Sequence, residues 1–228
     1  MKMFIFGNFA YPPAVRRNSK SRLNIRSENM VNTKKKSISD IPKTGRIGRF
    51  ARILEKRVNE NILLKIMKGS TEYNSFKPDK KAFWWKNAIE TMEGELGKEK
   101  SIEIMNACGE KCCGIGQRRT AKKLMNESKS IEEFLDKISK YEVKDGELEY
   151  ELIDNNTIIG KHNRCFCGQV KQLKENFKND TYCHCSVEFN RQFFQAAFDK
   201  PVEVKLKQSI LSGGVYCEFL ITIQNGGK

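Results

Sequence analysis

Between Tyr141 and Leu148 the spacing of apolar residues changes, and this switch constrains the fold more than any other feature of the chain. Upstream, apolar residues recur every three to four positions, the period of an amphipathic helix. Phe50, Ile53, Leu54, Val58, Ile62 and Ile66 predict a helix over 49–67, closed by Gly69. Pro78 suits a first helical position, and Trp85, Ile89, Met92 and Leu96 continue as a stripe until Gly97. Ile102, Met105, Cys108 and Cys112 mark a third helix over 98–113, and a short basic one follows over 117–126. Ser130-x-x-Glu133 is a capping box opening a helix that runs to Tyr141.

Downstream the period falls to two. Leu148–Leu152 alternates, Asp154-Asn155-Asn156 turns, and Thr157-Ile158-Ile159 resumes, which predicts a hairpin. Ser186 is placed to cap a helix whose face is Phe189, Phe193, Phe194, Ala197 and Phe198, stopped at Pro201. Val202–Leu206 alternates again, Gly213-Gly214 turns, and 215–223 forms a last strand. The expected architecture is α+β: N-terminal helices packed on a four-stranded antiparallel sheet, with a ββ-α-ββ C-terminal half. The expected organisation is a basic, disordered arm over 1–46 and a single α+β domain over 47–228, helical over 47–142 and sheet over 146–224.

The net charge of +14 is not evenly spread. Residues 1–57 hold 15 Lys and Arg against 3 Asp and Glu, which leaves 27 against 25 for the other residues. The basic character therefore belongs to the arm. Its plain reading is a solvated tail, and its sharper one is weak contact with nucleic acid or an anionic surface. No apolar run approaches the roughly 20 residues of a membrane span. The first ten residues are a poor export signal, broken by Gly7 and Asn8, and Met30 is an alternative start. A cytoplasmic protein is expected, and a homodimer is left open.

Eight cysteines without an export signal point to metal or redox work rather than a disulfide frame. Cys165-x-Cys167 and Cys183-x-Cys185 are two pairs that, in extended backbone, each present both sulfurs to one side. Together they suit a tetrahedral soft-metal site, zinc first and an iron–sulfur cluster second. Cys108 and Cys112 share a helix face, and with Cys113 they extend the candidate set; the alternative is small buried hydrophobes. A helix N-terminus after Cys185 would favour the thiolate form of Cys183 and Cys185. Lys161, Arg164 and Lys171 lie near enough in sequence to offset the charge of four thiolates. Cys217 reads as core, His184 as facing away from its flanking cysteines, and His162 as ambiguous. Trp84, Trp85, Phe189 and Phe193 are candidate walls of a ligand pocket, with core packing as the plain alternative for the tryptophans.

Several of these residues carry a family resemblance. Cys165-Phe166-Cys167, Tyr182 through Ser186, Pro201–Val204 with Ser209-Ile210, and the Gly213-x-x-x-Cys217-x-Phe219 ending resemble two related groups. One is the L-2-amino-thiazoline-4-carboxylic acid hydrolases, the other the 4-vinyl reductase domain described as a hydrocarbon-binding module. The resemblance covers roughly 105–223. It implies an α+β fold with a small apolar ligand cavity between sheet and helices, and zinc in some members. It assigns no catalytic residue here. Three functions therefore stand: a small-molecule-binding domain with a structural thiolate zinc site, a hydrolase of the thiazoline type, or an iron–sulfur or thiol redox protein. If a hydrolase, Asp180, Glu110 and His184 are the candidate bases. No phosphate-cradling loop or dinucleotide fingerprint is present.

Overall fold

The computed structural model describes residues 38–141 and 143–224, all within one compact unit. Four of the expected helices form close to their predicted limits. The single helix expected over 49–67 is two, α1 (Gly45–Glu55) and α2 (Glu60–Ile66). The break arises because Asn59 caps a new start, its side chain accepting the Ile62 N–H at 3.0 Å. α3 (Pro78–Leu96) begins on its proline and ends at Gly97, whose φ of +80° favours a residue without a β-carbon. α4 (Lys98–Cys112), α5 (Ile115–Asn126) and α6 (Ile131–Lys140) follow. Ser130 accepts the Glu133 N–H at 3.2 Å, as the capping box requires, but the Glu133 carboxylate returns to the N–H of Lys129 rather than Ser130.

The expected arm ends earlier than its composition indicates. Residues 38–46 hold a short 3-10 turn, a buried Ile41 and the first residues of α1. Its charge density hid these few apolar anchors. The rest of the expected arm, the first ten residues and Met30 lie outside the described residues.

β1 (Leu148–Asp154) and β2 (Thr157–His162) form the predicted hairpin. α7 (His184–Phe198) starts two residues before the expected Ser186 cap, because a 3-10 turn over Thr181–Cys183 runs straight into it. It ends with Asp199 in the left-handed region (φ +54°) just ahead of Pro201. β3 (Val202–Gln208) and β4 (Cys217–Ile223) complete one antiparallel sheet in the order β1-β2-β4-β3. Its register sets His162 opposite Cys217 and Gly160 opposite Phe219. The fold is α+β, with the four-stranded antiparallel sheet in the C-terminal half.

Two hydrophobic cores result. The first joins α1–α4 and includes Phe50, Leu54, Trp85, Met92, Cys108 and Cys185. The second lies between the sheet and α5–α7, with Phe134, Phe194, Phe219 and Ile221 at its centre. α7 belongs to both, because its first turn lies against α4 and its later turns against the sheet. No helix among the described residues is long and apolar enough to cross a membrane.

Candidate functional site: a thiol-lined cavity

Where the two cores meet, a cavity of about 530 Å³ remains. β2 supplies His162 and β4 supplies Cys217 and Phe219; α7 supplies Cys185, Phe189, Asn190 and Phe193. α4 ends on Cys112 at its edge, and α1 contributes Arg46. The irregular segment 163–180 adds Arg164, Cys165, Phe166 and Cys167. Six of the eight cysteines therefore line one hollow: Cys112, Cys165, Cys167, Cys183, Cys185 and Cys217. Among the described residues, Arg46 and Arg164 are its charged side chains and no aspartate or glutamate lines it. Another hollow, of about 490 Å³ between α6 and β1, carries no cysteine.

The centre of the site is Arg46. One arm of its guanidinium donates to Cys167 Sγ at 2.7 Å and the other to Cys112 Sγ at 2.9 Å, while Arg49 donates to Cys112 at 3.3 Å. The Tyr182 hydroxyl stands 3.1 Å from Cys167 Sγ. A planar fork with parallel N–H bonds normally grips a carboxylate; here it grips two sulfurs from distant parts of the chain. Burial disfavours the Arg46 charge, but the acidic groups facing it (Tyr182, Cys167, Cys185 and Cys112) outweigh burial and raise its pKa.

The segment bearing Cys167 is pinned from several sides. The N–H groups of Val170 and Lys171 both donate to the Cys167 carbonyl, and Val170 is fully buried. Trp85 donates to the Tyr73 hydroxyl at 2.8 Å, and Tyr73 in turn donates to the side chain of Gln169. Phe177 donates its N–H to the Leu211 carbonyl at 2.7 Å and packs on Tyr182. These contacts carry no strand geometry. The Cys165–Cys167 pair is irregular backbone and the Cys183–Cys185 pair is helical, so the extended pairs expected from the spacing do not form.

The thiols differ in their surroundings. Burial pushes Cys165 up to about 11 and lifts Cys183 and Cys185 well beyond the usual thiol range; Cys217 is raised for the same reason. The thiolate form expected of Cys183 and Cys185 from a helix N-terminus is thus reversed by desolvation. Cys183 is also hydrogen-bonded to Ser209 at 2.9 Å. Cys108 lies outside the main cavity in a crevice shared with Arg46, Arg49, Trp85, Cys112 and Cys185, where burial pushes it up to about 12. Cys113 lines neither hollow; burial first, with Cys112 and Glu188 adding, raises it to about 11 against the pull of Arg118. Among the described residues no three His, Cys, Asp or Glu side chains are grouped so as to hold a metal ion.

Of the expected pocket walls, Phe189 and Phe193 line the cavity and Trp84 and Trp85 do not. Both tryptophans are core: Trp84 donates to the Lys68 carbonyl at 2.9 Å, and Trp85 packs edge-on against Tyr182 behind the cavity wall. None of the candidate bases reaches the cavity. Glu110 is exposed, Asp180 pairs with Lys98 at 3.1 Å, and His184 sits beside that pair. His162 is in the wall among the rings of Tyr150, Phe166 and Phe219, and burial lowers its pKa to about 4. Arg46, Tyr182 and Ser209 were not expected from the sequence. Arg46 left a signal in the three-residue spacing of Arg46, Arg49 and Arg52 on one helix, and Tyr182 and Ser209 stand in the stretches that carry the family resemblance.

A family model described as a family of unknown function, DUF6144, matches residues 49–227. No curated protein matches the chain. Among solved structures it is similar to an H-NOX protein from K. algicida, an alanine-to-glycine mutant in the Fe(II) unliganded state. The identity is 12% and the TM-score 0.46, over 79% of this chain and 95% of that one.

Proposed function

The chain belongs to the DUF6144 family, and from that premise we propose that it is a binding domain for a small, largely apolar molecule. The observation that carries this reading is the cavity between the two cores. Its volume falls in the range of small-ligand sites, and its walls are aromatic and aliphatic with a few convergent polar groups. Phe189, Phe193, Leu211 and Phe219 suit an apolar body. Two lining arginines, with no carboxylate beside them among the described residues, suit an anionic or neutral polar end.

The test is a thermal-shift and calorimetric series on the purified full chain, with aromatic and aliphatic carboxylates, a thiazoline carboxylate among them, and their neutral and amine counterparts. Carboxylates or neutral analogues are expected to raise Tm, and amines are not. Phe193→Trp, which fills the hollow from its wall, should abolish the shift while the variant stays folded. Equal binding by Phe193→Trp would place the ligand elsewhere.

A second reading rests on the six sulfurs around one hollow. A thiolate site for zinc, or for an iron–sulfur cluster, would draw on Cys165, Cys167, Cys183 and Cys185. The side chains as they stand do not form such a site, so loading would require several to turn. Metal and sulfide content of anaerobically purified protein decides this. One zinc per chain lost in Cys167→Ser supports it, and metal-free, fully folded protein removes it.

A further inference from the structure

Arg46 does more than line a cavity: it gathers two thiols that are 55 positions apart in the sequence onto the two arms of one rigid, planar group. We infer that Cys112 and Cys167 are a reversible dithiol–disulfide pair, oxidised by an organic hydroperoxide that enters the cavity between the two cores. This does not rest on the ligand-binding reading, because it needs only access of the oxidant to the cavity.

Three features single out this pair. Cys112, Cys165 and Cys167 are partly exposed, whereas Cys183, Cys185 and Cys217 are buried, and of the three partly exposed thiols only Cys112 and Cys167 are held by Arg46. Both sulfurs receive guanidinium N–H donors, which stabilise negative charge on sulfur during attack. Finally, Cys167 lies in irregular backbone beside Gly168, and Cys112 is the last residue of α4, followed by the turn at Gly114. The Cys167 carbonyl is held by the Val170 and Lys171 N–H groups, so the movement that brings the pair to disulfide geometry falls to the two side chains and to the end of α4.

The chemistry balances without a further reactant. The Cys167 sulfur attacks the terminal oxygen of the hydroperoxide, forming an S–O bond as the O–O bond breaks. The departing alkoxide takes a proton from the Tyr182 hydroxyl, 3.1 Å from that sulfur, and Tyr182 is restored by the proton that Cys167 gave up. Burial keeps the Tyr182 hydroxyl protonated until then. The Cys112 sulfur next attacks the Cys167 sulfenic acid, the S–S bond forms, and hydroxide leaves with the Cys112 proton as water. Two thiols and one hydroperoxide become one disulfide, one alcohol and one water. Arg46 is a positioning residue throughout.

The experiment is stoichiometric oxidation of the reduced full chain with cumene hydroperoxide, followed by alkylation, intact mass and peptide mapping. A mass lower by two hydrogens, a Cys112–Cys167 link, and its reversal by dithiothreitol are expected. In Cys112→Ser the product should stop at a Cys167 sulfenic acid, trapped by dimedone. Arg46→Gln should slow the reaction on the order of tenfold or more, since charged donors to the reacting atom are lost; circular dichroism checks that it folds. Intact thiols after treatment, or a dominant link between any other two cysteines, would overturn the pair. A wild-type rate in folded Arg46→Gln would overturn the part given to the arginine.

Discussion

Gly109 of α4 lies flush against Cys185 in the first turn of α7: a β-carbon built on Gly109 would press into the Cys185 carbonyl and stand 2.7 Å from Glu188 Cβ. The contact sets the distance between the helix that carries Cys108 and Cys112 and the one that carries Cys185. Gly109→Ala is therefore expected to destabilise the fold by about 1–3 kcal/mol, since backbone must shift to admit the methyl group. Gly94→Ala, inside α3 with open space where its methyl group would go, should be neutral or stabilising by up to about 1 kcal/mol. Urea denaturation of the two variants separates close packing from helix propensity.

Removing the Arg46 fork should discriminate among ligands. If a carboxylate end reaches toward this guanidinium, Arg46→Met is expected to weaken carboxylate binding by about 10-fold or more and to leave a neutral analogue of the same shape within about 3-fold. Calorimetry of the matched pair reads the difference. Equal losses for both would mean that the substitution has merely reshaped the cavity.

His162 gives the fold an acid sensitivity. Burial lowers its pKa from 6.5 to about 4, and its Nε2 finds no hydrogen-bond partner among the described residues. Between those values the unfolded chain binds a proton that the folded one does not. Stability is therefore full above about pH 6.5, falls as the pH drops toward 4, and gains no further loss from this group below that. The integrated loss is up to about 3 kcal/mol. His162→Phe, placed among the Tyr150, Phe166 and Phe219 rings, should flatten that part of the pH–stability curve.

Ser209 is fully buried, accepts the Leu211 N–H at 3.1 Å and is bonded to Cys183 at 2.9 Å. Ser209→Ala strands a buried backbone donor and is expected to cost about 1–3 kcal/mol. Ser209→Thr keeps the hydroxyl, so a smaller loss in equilibrium unfolding would attribute the effect to the hydrogen bonds.

The periodic parts of this chain were legible because one side chain in two or in four reports its own burial. Pro78, Gly97 and Pro201 fixed helix ends for reasons local to themselves. The cysteine pairs were harder. Their spacing was read as four sulfurs converging on one ion from extended backbone; the four line one hollow instead, Cys183 and Cys185 in a helical turn and Cys165 and Cys167 held by turns. Spacing also says nothing of desolvation, so the helix-end argument for a thiolate at Cys185 gave the wrong sign. Arg46 was hidden for a third reason. In a strongly basic stretch one more arginine carries no contrast, and its partners lie 66 and 121 positions away.

Those separations shape how the molecule is made. Of the segments around the hollow, the one that contains Arg46 leaves the ribosome before the others and the strand that contains Cys217 after them, so no earlier segment can enclose the hollow by itself. Until β4 docks, thiols destined for burial stay open to solvent and to one another. Closure at such long range is slow compared with helix formation, which leaves a window for mispaired sulfurs. Refolding yield from denaturant should accordingly depend on reductant far more steeply than does the survival of the finished protein.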